Sequence, residues 1–217
     1  MLVALAKSRG ASKTFPLLDL DGRTYSDSSE IVAALEARYP QPPLYPADSE
    51  ERRRALDLEE FFDEQVGPYT RLLAWHEILD HPPTARRIVE AELPGPPAAA
   101  RFLTPAAGAF LQLRYRVKSD QEAEEARARI VAGFDRVEAE LGAGVYLVGE
   151  DFSVADLTAA ALLYPAVLPA EGPPLPDPPP AYEEFRASLA DRPGFRWVEE
   201  MFRRHRKRGA AKQVAAA

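Results

Sequence analysis

The chain has 217 residues, of which 46% are hydrophobic and 28% charged, enough for one or two domains with a substantial core. It contains no cysteine, which excludes disulfides, cysteine-rich metal sites and a cysteine nucleophile within these residues, and fits a reducing, cytoplasmic setting. The net charge of −7 argues against nucleic acid as a partner, and no apolar run approaches the length of a membrane span.

The first ten residues lack the basic n-region and long h-region of a secretory signal. Phe15-Pro-Leu-Leu-Asp-Leu20, the turn pair Asp21-Gly22 and Arg23-Thr-Tyr-Ser26 together predict a β-hairpin. Asp27 or Ser28 then caps a helix over 29–38, with Ile31, Val32, Leu35 and Tyr39 at helical spacing. Four prolines within residues 40–46 predict an extended linker, a natural domain boundary.

Beyond the linker the pattern is helical. Asp48 or Ser49 caps a long helix to about Val66, which Gly67-Pro68 breaks. The helix resumes over 69–79 until His81-Pro82-Pro83 stops it, and a short helix follows over 84–93. Residues 98–117 are apolar and helical. Ser119-Asp120 opens an amphipathic helix to Leu141 with core positions Ile130, Phe134, Val137 and Leu141, and Gly142 ends it. Six prolines within 171–180 make a loop, and helices over 181–189 and 193–205 finish the fold. The last fifteen residues hold six basic side chains and no acid. They read as a helix end suited to the macrodipole followed by a flexible Ala-rich tail over 207–217, or else as a contact for RNA or an anionic surface.

One segment is more specific than the rest. In Tyr146-Leu-Val-Gly-Glu-Asp-Phe-Ser-Val-Ala-Asp-Leu157, Ser153 and Asp156 have the spacing of a capping box, and Phe152 and Leu157 that of a hydrophobic staple. Residues 157–163 are almost uncharged, so the box opens a helix buried on nearly every face. Asp156 is therefore structural rather than catalytic. The histidines His76, His81 and His205 show neither metal spacing nor an obvious acid partner, and no metal site is expected.

The 146–157 segment resembles the start of the central core helix in the C-terminal domain of glutathione S-transferases. Three further segments agree in order: Thr14-Phe15-Pro16-Leu17-Leu18 resembles that family's cis-proline strand, Tyr25-Ser26-Asp27-Ser28-Ser29-Glu30-Ile31 its acidic-Ser-x-x-Ile motif, and residues 45–55 the opening of its helical domain. The end, Arg192 to Met201, is similar to its last helices. The resemblance covers about 14–206 and implies an α+β fold. A partial thioredoxin-like unit (hairpin plus helix, residues 1–40) would be followed by a linker (41–46) and an all-α domain (47–206).

The resemblance also implies chemistry. Glutathione would be the co-substrate, with the Phe15 backbone before Pro16 holding its cysteinyl part. Ser28 and the helix N-terminus would hold its γ-glutamyl carboxylate, and Asp27 its α-amino group. Tyr69, Trp75 and Phe110 would line a pocket for a small hydrophobic electrophile, or else be core aromatics. The expected assembly is a homodimer. Too few residues precede Pro16 for the family's opening βαβ unit, which carries its thiol-activating Tyr, Ser or Cys. The sequence reading leaves a truncated start and a true remnant both open. It expects only the glutathione-binding half of the machinery here, with little conjugating activity. The alternative is a non-catalytic binding or interaction module of the same fold.

Overall fold

The computed structural model describes residues 16–92, 119–142 and 144–206. It begins with the expected hairpin: β1 (Leu18–Leu20) pairs antiparallel with β2 (Arg23–Tyr25), Leu18 opposite Tyr25. Asp21 at φ 51° and Gly22 at φ 80° form the turn. Two successive left-handed residues match the twist of a two-residue hairpin, which is why Asp-Gly works there. Helix α1 (Ser28–Arg38) follows, capped by Asp27.

Helix α2 (Ser49–Gln65) is capped by Asp48, whose Oδ1 accepts the N–H groups of Glu50 and Glu51 at 3.0 Å each. Helix α3 (Gly67–Asp80) restarts at once, because Pro68 sits in its first turn where a missing N–H costs nothing. The same rule corrects one expectation. Pro82 and Pro83 do not delay the next helix to residue 84; they start α4 (Pro82–Glu92). The apolar stretch 98–117 and the tail 207–217 lie outside the described residues.

Helix α5 (Asp120–Leu141) is capped by Ser119, and Gly142 ends it at φ 50°. Helix α6 (Val154–Val167) runs through the middle of the helical domain and packs against α2, α3 and α8. Helices α7 (Pro180–Leu189) and α8 (Pro193–His205) close the bundle. The core draws Leu58 and Phe62 from α2, Leu73 from α3, Ile130 and Phe134 from α5, Leu163 from α6, Tyr182 from α7 and Val198 from α8. Pro165 lies within α6. Proline costs an interior helix hydrogen bond, and here the Tyr182 hydroxyl donates to the Pro165 carbonyl at 2.7 Å, tying α7 to the bend-prone end of α6.

The two units differ sharply in burial. No residue from 16 to 38 is buried, whereas the helical domain holds the buried core. What joins them is the proline-rich segment, and it is less free than the sequence suggests. The Glu36 carboxylate accepts the Leu44 N–H at 3.0 and 3.1 Å, and the Leu44 carbonyl accepts the Val154 N–H at 2.8 Å. Leu44 thus ties α1 to the first turn of α6. Val32 packs on the helical core beside this tie.

Candidate functional site

The N-terminus of α1 is the place where polar groups converge. Asp27 is extended (φ −106°, ψ 137°), and its Oδ1 accepts the N–H groups of Ser29 at 3.0 Å and Glu30 at 3.1 Å. That choice follows from local chemistry, since a short carboxylate one residue before a helix reaches exactly those two orphan donors no better than Ser would, but adds a charge that suits the dipole. Ser28 itself is exposed, and its N–H is not one of the two that Asp27 accepts.

The helical domain supplies the facing side. Ser29 faces Glu59 of α2, a residue only 7% exposed. Burial pushes the Glu59 carboxyl up; the Ser29 hydroxyl opposes the rise, and the charges of Asp63 and Asp27 add to it. Asp63, one turn further along α2, is also raised, first by burial and then by Asp27, while Arg71 of α3 pulls it down. Carboxylates from the two units, Asp27 on one side and Glu59 and Asp63 on the other, are thus close enough at the start of α1 for the charge of Asp27 to raise both of the others. A site of this kind offers N–H and O–H groups to an anion and carboxylates to a cation, side by side.

Of the residues singled out from sequence, Asp27 and Ser28 come together here. Pro16 is exposed and leads into β1, while Phe15, and with it the expected cis bond before Pro16, lies outside the described residues. Among the described residues the cis peptide is Gln41–Pro42. Tyr69 is half-buried on α3 against the core, with Arg129 of α5 over its ring at 5.4 Å. Trp75 is half-buried on the same helix, but six residues is about one and two-thirds turns, so the two aromatics occupy different faces. Phe110 lies outside the described residues.

Glu59 and Asp63 are what the sequence reading missed. The signal was present: two acids four residues apart on α2, beside the core positions Leu58 and Phe62. Nothing in the sequence says that α1 docks against that face.

Ser153 and Asp156 form the capping box at α6. Asp156 is fully buried, and its Oδ2 accepts from the Ser153 N–H at 2.9 Å and hydroxyl at 3.0 Å. Its Oδ1 accepts the Leu147 N–H at 2.8 Å, so it also fixes the loop before the helix. Burial raises the Asp156 carboxyl, and these hydrogen bonds hold the rise in check. Phe152, expected to staple onto Leu157, stacks on His205 with centroids 4.0 Å apart and meets Tyr146 edge-on at 6.1 Å.

One histidine departs from expectation. His76 does have an acid partner, with Nε2 lying 3.3 Å from the Asp120 carboxylate. His81 Nδ1 lies 2.7 Å from the Thr84 hydroxyl, the spacing of a base and a nucleophile. Thr84 is fully buried, however, and its one proton goes to the Asp177 carbonyl. Nδ1 must then be the donor, so His81 positions Thr84 and does not activate it. Among the described residues no three His, Asp or Glu side chains are arranged to hold a metal ion, and no helix is long and apolar enough to cross a membrane.

Residues 120–196, α5 through the start of α8, match the glutathione S-transferase C-terminal domain family. In solved structures the fold is similar to a beta-etherase from Sphingobium sp. strain SYK-6, at 18% identity and a TM-score of 0.54 over 91% of this chain and 81% of that one. It is also similar to a maleyl pyruvate isomerase, a bacterial zeta-class glutathione S-transferase, at 23% identity and a TM-score of 0.50 over 92% and 76%. No curated protein matches the sequence. A short two-stranded sheet with one helix, followed by this helical bundle, is the plan of a partial thioredoxin-like unit joined to a transferase C-terminal domain. The family match is thus to the helical domain, over residues 120–196, and the likeness to solved structures extends it to the fold of the chain.

Proposed function

We propose that the chain binds glutathione through the N-terminus of α1, and that it does so as a glutathione S-transferase-like protein conjugating the thiol to a small hydrophobic electrophile. One observation carries the binding reading. Ser28 opens α1 directly after Asp27, and the Asp27 carboxylate is close enough to Glu59 and Asp63 for its charge to raise both, so donors for a carboxylate would lie near carboxylates for an ammonium group. The γ-glutamyl end of glutathione is an α-amino acid and carries both charges on one carbon. Its carboxylate would take the helix N-terminus, and its ammonium would relieve the mutual repulsion of the three acids. The thiol, once ionised, is the nucleophile that such a family member turns on its electrophile.

A second reading, a non-catalytic binding module of the same fold, draws on a different observation. Thiolate formation needs a group that stabilises negative charge. Among the described tyrosines with a resolved shift, Tyr45, Tyr164 and Tyr182 are all pushed upward by burial, away from an activated phenol. Titration calorimetry with glutathione tests the binding. Ser28→Ala is expected to weaken it by about 1–2 kcal/mol, roughly five- to thirty-fold in Kd, for a hydrogen bond to a charged group. Equal affinity in both proteins would remove α1 from the site. An aryl-halide conjugation assay on the same samples separates the two readings, since turnover supports the transferase and its absence alongside binding supports the module.

A further inference from the structure

The last turn of α8 meets the loop that leads into α6. The His205 ring stacks on Phe152 with centroids 4.0 Å apart and planes 23° apart, and its centroid lies 5.8 Å from that of Tyr146. The Tyr146 hydroxyl stands 3.3 Å from His205 Nε2. These three side chains close the end of the helix onto residues 146–152. Leu147, within the same stretch, gives its N–H to Asp156, so the contact adjoins the cap of the core helix.

The hydrogen bond between Tyr146 and His205 has one direction. The Arg204 guanidinium also faces the Tyr146 hydroxyl, and a guanidinium only donates. The phenol oxygen therefore accepts on that side, and its single proton goes to Nε2. Nε2 accepts only while the imidazole is neutral. A proton on Nε2 removes the acceptor and sets a second cation beside Arg204.

The charges around His205 pull both ways. Burial against the loop draws the imidazole below its ordinary value; Asp156 of α6 opposes the fall, and Arg204 adds to it. Glu150 and Asp151, exposed on the loop, side with Asp156 in favouring the cation, whereas Arg206 sides with Arg204. Glu200 of the same helix is taken up by Arg203 and Arg204. His205 itself is exposed, so its proton exchanges with solvent without any opening of the core.

We propose that His205, Tyr146 and Phe152 form a pH-sensitive latch, closed while His205 is neutral, which fastens the end of α8 to the loop before the core helix and opens when His205 is protonated. A base that is harder to protonate in the closed state contributes its stability in full above its free value, near 6.5, and loses it as pH falls. The last turn of α8 is thus fastened at neutral pH and freed in mildly acidic solution.

NMR of the full chain reads the latch directly. NOEs between the His205 and Phe152 rings are expected at pH 8 and should be lost at pH 5, with the Cα shifts of residues 203–205 moving toward coil values. The His205 ring, identified by the signals missing from His205→Phe, should titrate below about 6.5. Tyr146→Phe keeps the ring and removes the hydroxyl. It should raise that midpoint by about 0.5–1 pH unit, as expected for one hydrogen bond to the neutral form. His205→Phe keeps a stacking ring that takes up no proton, so the end of α8 should stay helical at both pH values. A midpoint at or above about 6.5, or one that Tyr146→Phe leaves in place, overturns the proposal. So does loosening at pH 5 that persists in His205→Phe. Ring-to-ring NOEs that survive at pH 5 overturn it too, because the imidazolium would then be held as a cation over Phe152.

Discussion

Leu44 and Val154 share one backbone hydrogen bond, 2.8 Å from the Val154 N–H to the Leu44 carbonyl, and this bond joins the proline-rich segment to the first turn of the core helix. The Leu44 N–H is held in turn by Glu36 of α1. Because no residue from 16 to 38 is fully buried, this chain of contacts, with Val32 packed on the helical core, is what orders the small unit.

Glu36→Ala should therefore loosen the small unit more than the bundle. Losing a charged acceptor for the Leu44 N–H costs about 1.5–3 kcal/mol locally. Hydrogen exchange is expected to quicken at residues 18–45 and to stay slow at 154–164. Uniform acceleration across both segments would mean that the two units unfold as one.

Asp156 holds three donors, and two of them are backbone N–H groups, from Leu147 and Ser153. Asp156→Ala leaves both without an acceptor in a buried place, at about 1–3 kcal/mol each. A fall of about 2–6 kcal/mol in urea unfolding is expected, with glutathione affinity of the folded fraction unchanged. Lost binding at unchanged stability would move Asp156 from the scaffold to the site.

Much of this scaffold was legible in the sequence because its signals are local. Asp21-Gly22 encodes its turn, Ser119 and Asp48 their caps, and Ser153 with Asp156 their box, each within four residues. The third arm of Asp156, to Leu147, was not legible, since it depends on how a loop folds back. The candidate site was half legible for the same reason. Asp27 and Ser28 are written into one helix start, but their approach to Glu59 and Asp63 is set by packing between two units. The stacking of Phe152 on His205 likewise joins residues far apart in the chain.

Glu59 gives a pH signature. Its carboxyl is raised by burial, so its folded value exceeds its unfolded value near 4.3. The stability it contributes is complete below that unfolded value and is lost as pH rises through the folded one. Glu59→Gln keeps the size and polarity of the side chain and cannot ionise. The variant's melting temperature relative to wild type should climb as pH goes from 4 upward and level off once Glu59 is fully charged. A constant difference across that range would mean that Glu59 is not strained by its surroundings.

Gly172 marks a tight approach in the loop between α6 and α7. A Cβ there would clash with Tyr164 Cε2, on a ring that also stacks on Phe202. Gly172→Ala must displace that ring and is expected to cost about 1–3 kcal/mol by calorimetry. A neutral substitution would show that the loop shifts to make room.

The most direct test of glutathione binding at α1 is a titration of the 15N-labelled chain with glutathione, followed by amide shifts. Saturable changes are expected at Ser28, Ser29 and Glu30, with smaller ones at Glu59 and Asp63 and none at Leu147 or Val154. Shifts confined to other parts of the helical domain, or no shift at millimolar glutathione, would contradict it.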